Sequence, residues 1–109
     1  MDYTILYRAR GAQSALSVTQ KFLQNASPEE TAVFKQRVKD QQDTFSRLFR
    51  EALQFIDTVN DPGIRDILLL RCLKGLPWRE VAANMDGDLS TDAVKQRFTR
   101  WKKAHSAMR

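Results

Sequence analysis

Apolar side chains recur three and four positions apart along almost the whole chain, and three prolines, Pro28, Pro62 and Pro77, punctuate the repeat. That spacing belongs to α-helices with one face turned inward. Over residues 2 to about 25, Ile5, Ala9, Ala12, Leu16 and Leu23 keep it, and Thr19 fills the missing slot. Tyr3, Leu6 and Phe22 widen the stripe. Gly11 either weakens this helix by about 1 kcal/mol relative to alanine or marks a close backbone contact. Asn25-Ala26-Ser27 breaks the pattern. Ser27-Pro28-Glu29-Glu30 restarts it, with serine as N-cap, proline in the first helical position and Glu30 closing a capping box.

No breaker follows until about Thr58, so the second helix is roughly 46 Å long at 1.5 Å per residue. Its seam is Phe34, Val38, Gln41, Phe45, Leu48, Ala52, Phe55 and Val59, a heptad-like rhythm with one polar residue inside. Folding back on the first helix as an antiparallel hairpin satisfies this seam; an intermolecular coiled coil is the alternative. From Phe45 to Val59 the apolar positions cover more than one face, more than one partner helix can bury. That half is expected to meet the first helix on one side and the C-terminal part, or a second subunit, on the other. Phe45, Phe49, Leu53 and Ile56 are the strip expected to join two copies as a homodimer.

Asn60-Asp61-Pro62-Gly63 is the next joint, where Asp61 caps and Pro62 opens a helix of about residues 62–74. Its core face is Ile64, Ile67, Leu68, Leu70 and Leu73, with Leu69 and Cys72 apolar as well. Gly75 suits a helix end that needs positive φ. Pro77 is tolerated in the first turn of the following helix, where Trp78, Val81, Ala82 and Met85 point inward and Glu80 sits near the positive end of the dipole. Asp86-Gly87-Asp88-Leu89 is a turn, with Gly87 supplying positive φ and Leu89 plugging the gap between helices. Ser90 or Thr91 caps the last helix, whose inward positions are Val94, Phe98 and Trp101.

The pattern therefore predicts an all-α chain. An N-terminal antiparallel helical hairpin (residues 1–60) precedes a trihelical helix-turn-helix unit (residues 61–109), in which the last helix would lie in the DNA major groove. Charge follows the same division. The chain carries a net +5. Residues 1–60 hold eight bases and seven acids, a net +1, and residues 61–109 hold ten and six, a net +4. From Ala93 to Arg109 there are six Lys/Arg and no acid. Such a run is either a solvated helix face or a surface for a polyanion.

The stretch from about 62 to 104 resembles the last DNA-binding region of sigma-70-type factors, region 4. The residues that carry the likeness are Arg71, Leu73, Gly75, Trp78, Glu80, Val81 and Ala82, then Val94, Lys95, Arg97, Phe98 and Arg100. Small bacterial and phage-encoded regulators, the ArpU-like late-gene regulators among them, are similar in size and layout. Pro77 stands where that family has Ser or Thr, the turn around Gly87 is longer than its shortest form, and Asp92 puts an acid at the start of the reading helix. The resemblance implies a phage- or mobile-element-borne transcriptional regulator that binds double-stranded DNA, with RNA polymerase a candidate partner. With no room here for core-polymerase and promoter-melting regions, the expected promoter role is accessory.

On the last helix, Thr91, Asp92, Lys95, Gln96 and Thr99 are the expected base-reading residues. Lysine pairs with guanine acceptors and glutamine with the adenine N6/N7 edge. Asp92 either accepts from a cytosine amino group or orients Lys95. Arg97, Arg100, Lys102 and Lys103 are expected on phosphates, which fix position without reading sequence. Arg97 has a second candidate partner in Glu80. Arg71 and Lys74 either reach phosphates or solvate the end of their own helix.

Other chemistry is scarce. There is no Gly-rich phosphate loop, no HExxH and, with one histidine, no Ser/His/Asp or Cys/His set, so no enzyme, cofactor or metal site is expected. Asp86 and Asp88 flank Gly87, but the other ligands of a calcium loop are missing. The single cysteine, Cys72, is read as an inert core residue, and His105 as exposed or loosely packed. No stretch is apolar enough for a membrane span, and the start MDYTILYRARGAQ lacks a signal-peptide layout, so a cytoplasmic protein is expected. Two other functions fit the same elements: a protein-interaction module (an adaptor or anti-regulator) that grips its target with the hairpin, and a DNA-packaging or recombination accessory.

Overall fold

The structure, a computed structural model, describes residues 3–107 apart from Asp86 and Asp88. The protein is all-α, and no β-strand occurs among the described residues. Helix α1 is Thr4–Gln24 and α2 is Pro28–Asp57. Helix α3, Pro62–Ile67, continues into a π-helical turn, Leu68–Leu73. Helix α4 is Trp78–Ala83 and α5 is Thr91–Ala107. Among the described residues, no helix is long and apolar enough to cross a membrane. The chain divides into two compact units, Met1–Phe55 and Ile56–Arg109, so the division falls in the last turn of α2.

In the first unit, the capping box forms as its residues dictate. Ser27 Oγ accepts from the Glu30 amide at 3.3 Å, while Glu30 Oε1 accepts from the Ser27 amide at 3.3 Å and its hydroxyl at 2.7 Å. These bonds favour the ionised carboxylate and hold the Glu30 pKa below its ordinary value. The Phe22 ring of α1 stacks on Phe34 of α2 at 6.1 Å. Farther along, Ala15 and then Ala12 line the groove between the helices with Gln41 and Thr44. Numbers fall on α1 as they rise on α2, so the two helices run antiparallel. Ile5, Leu6, Ala9, Leu16 and Thr19 are the buried residues of α1. Thr19 occupies an apolar slot because its hydroxyl donates to the Ala15 carbonyl at 3.1 Å, which satisfies it within its own helix.

Three expectations change in this unit. Phe22 does not widen the buried stripe; it is an exposed side chain at the groove edge. Gly11 marks no close approach, since a Cβ there would meet nothing within 4 Å. Of the four residues expected to form a dimer strip, only Leu53 is exposed. Phe45 and Phe49 are half-buried with their rings 5.5 Å apart, and Ile56, past the division, is 7% exposed.

In the second unit, α4 packs on α5, α5 on α3, and α4 on the π turn, giving a three-helix cluster. Asp61 caps α3, its Oδ1 accepting from the amides of Gly63 at 3.0 Å and Ile64 at 3.3 Å. The π turn reorders the core. Ile67, Leu68, Cys72 and Leu73 are buried, while Leu70, expected inside, is half-buried. The buried pairs 67/72 and 68/73 are five apart, the spacing of an i→i+5 helix rather than an α-helix. The Lys74 amide reaches back to the Leu69 carbonyl at 3.0 Å, and the Leu76 amide to that of Leu70 at 3.0 Å, across Gly75 at φ 74°. Pro77 is the N-cap of α4, one position ahead of its expected place. Gly87 adopts φ 91°, but the flanking Asp86 and Asp88 of the expected turn lie outside the described residues. Leu89 is exposed and does not plug the gap, while Met85 is buried as its place in the inward stripe predicts.

Candidate nucleic-acid interface

Helix α5 is the candidate reading element, and local chemistry sets its start. Ser90 Oγ accepts from the Ala93 amide at 3.1 Å, so Ser90 rather than Thr91 is the cap. Val94 and Phe98 are buried and anchor the helix to the cluster. Phe98 sits in a run of rings, 5.4 Å from Trp78 on one side and 6.3 Å from Trp101 on the other. Trp101 in turn lies 3.9 Å from the His105 ring. His105 is therefore half-buried against an aromatic face, not loosely exposed.

The opposite face of α5 is polar and open. Asp92, Lys95, Gln96, Thr99, Arg100 and Lys103 are all exposed, and Thr91 is half-buried at the first turn. Spacings of three and four put them on one stripe of the helix. The Thr99 hydroxyl donates to the Lys95 carbonyl at 2.9 Å, so it meets a ligand as an acceptor. Lys74 is exposed at the end of the π turn.

Three of the expected phosphate contacts are engaged within the unit. Arg97 does not pair with Glu80. Its Nη2 donates to Asp61 Oδ1 at 2.7 Å, on the same oxygen that caps α3. Its guanidinium lies against Gly63, where a Cβ would come within 2.5 Å of Cζ. A larger residue at the first turn of α3 would oblige the guanidinium, the far end of a flexible side chain, to move aside. Arg71 Nη1 donates to the Leu76 carbonyl at 3.0 Å, and its guanidinium covers the Trp78 ring at 4.8 Å. It ties the end of the π turn to the start of α4. Lys102 Nζ stands 5.4 Å from the Phe98 ring centroid, a cation–π arrangement.

One cation outside the expected set belongs beside this face. Arg79, exposed on α4, lines an open groove with Ser90 and Thr91 at the start of α5. Its place one residue after the inward Trp78 is the signal that marks it as outward-facing. Compared with protein-family models, with curated proteins and with solved structures, the chain matches none.

Proposed function

We propose that this protein is a sequence-specific DNA-binding regulator of transcription, with α5 as a major-groove reading helix. The observation that carries the reading is the two-sided character of α5: Val94 and Phe98 buried in a three-helix cluster, and Lys95, Gln96, Thr99, Arg100 and Lys103 exposed on the other side. Asp92, Lys95, Gln96 and Thr99 read base edges, with Thr91 at the helix start. Arg100, Lys103, Lys74 and Arg79 hold phosphates. Arg97 and Arg71 serve chiefly to orient the helices that carry them, and Lys102 lies along its own helix on the Phe98 ring. The likeness to sigma region 4 supports an accessory role at a promoter, with RNA polymerase as the candidate partner.

The experiment is selection of bound duplexes from random DNA, followed by titration of the selected site and of random DNA at several salt concentrations. The expected outcome is a preferred site whose affinity falls with salt. Gln96→Ala costs about 1–3 kcal/mol on that site and relaxes one base position. Arg100→Ala weakens all sequences alike and reduces the salt slope by about one. No salt-dependent binding to any duplex sinks the proposal and leaves the interaction-module reading in its place.

A further inference from the structure

Val18, Phe22 and Val33 are 50%, 59% and 65% exposed, and all three lie where α1 ends and α2 begins. Phe22 and Phe34, stacked at 6.1 Å with ring planes 18° apart, form part of an open groove together with Ala15 and Val18. Glu30 and Arg37 stand on the same groove, four residues before Phe34 and three after it. We propose that this groove is a self-association surface, on which a second copy of the chain docks its own α2 antiparallel, Phe34 beside Phe34, with the Arg37 of each copy opposite the Glu30 of the other.

The occupant follows from the order of charges. In a two-fold contact the same strip meets itself, so whatever stands before the axis on one copy faces what stands after it on the other. An axis passing beside Phe34 superposes Glu30 of each copy on Arg37 of the other. Two acids or two bases at these places would repel across the axis; one of each sign closes two ion pairs and sets the register. Glu30 is prepared for this role. Its Oε1 is held by the Ser27 amide and hydroxyl, which fixes the carboxylate at the groove edge with acceptor capacity to spare. The mixed signs make the strip a poor seat for a polyanion, so it is separate in chemistry from the basic face of α5. Two hairpins joined in this way bury Val18, Phe22 and Val33 in a four-helix contact, the arrangement by which helix pairs cover their open sides.

The test is sedimentation equilibrium of the full chain across the micromolar range. Wild type is expected to shift from a 12.6 kDa species towards twice that mass. Phe22→Lys, at a position already exposed, returns the shift to monomer with helix content unchanged. Arg37→Glu alone and Glu30→Arg alone each weaken association at least tenfold. An equimolar mixture of those two variants recovers it, because the mixed pair sets acids against bases on both sides of the axis. Because Glu30→Arg also removes a cap, helix content is followed in parallel, and Phe22→Lys and Arg37→Glu carry the result if that variant unfolds. A 12.6 kDa mass at every concentration overturns the proposal. So does a dimer untouched by Phe22→Lys and Arg37→Glu, or one that Leu53→Lys alone disperses.

Discussion

At Gly11 a methyl group would meet nothing within 4 Å. The glycine sits inside α1, so it contributes only backbone freedom to the unfolded chain and nothing to packing. Gly11→Ala is therefore expected to stabilise the protein by about 0.4–1 kcal/mol, read as a raised midpoint in urea. An unchanged or lowered midpoint would show that the glycine has a role beyond the helix. Asp61 is the opposite case, since one carboxylate oxygen serves the Gly63 and Ile64 amides and Arg97 together. Asp61→Ala removes an N-cap, a loss of about 1 kcal/mol. The ion pair adds less, because both side chains are nearly half exposed, 47% and 43%, and such pairs contribute about 0.2–1 kcal/mol. A double-mutant cycle with Arg97→Ala is expected to return a coupling in that range; strict additivity would mean that Arg97 gains nothing from Asp61.

At the scale of elements, caps and breaks followed from residue identity, while the helix type after Ile67 did not. Ser27, Asp61 and Ser90 each cap the helix that their sequence signals marked, because a cap is a bond between neighbours. Glu30 makes the α2 cap sensitive to pH. Its pKa lies below the ordinary 4.5 in the folded chain, chiefly through the Ser27 hydroxyl and then its amide. A depressed carboxylate adds stability above its unfolded value, and that stability fades as pH falls through the folded value. The difference in melting temperature between wild type and Glu30→Ala is expected to be constant near neutrality and to narrow as pH drops below 4.5. Parallel curves down to the acid limit would remove the cap from the account. The π turn was not legible because LLLRCL offers apolar residues at both α and π spacing. Only the neighbouring helices decide which of them are buried, and they take Cys72 and leave Leu70 half out.

At the scale of the whole molecule, positive charge collects in the second unit, and tertiary packing divides it into two kinds. Composition marks every Lys and Arg of the second unit alike. Arg97 is held by Asp61 of another element, Arg71 by Trp78 and Leu76 just beyond its own turn, and Lys102 lies on the Phe98 ring one turn back on α5, while Lys95, Arg100 and Lys103 remain exposed. Under the proposed function, an exposed arginine such as Arg100 changes the salt slope and an engaged one such as Arg97 changes the placement of its helix. The sequence by itself determined the all-α class, the helix starts and the outward stripe of α5, because helical period and capping are local relations between residues a few positions apart. Tertiary structure alone decided that Arg97 reaches Asp61 rather than Glu80, that Leu89 stands exposed, and that Phe22 stands exposed beside Phe34. Each of these depends on which surfaces meet beyond the few-residue reach of one helical turn, and a side chain with several chemically acceptable partners takes the one that packing brings within reach.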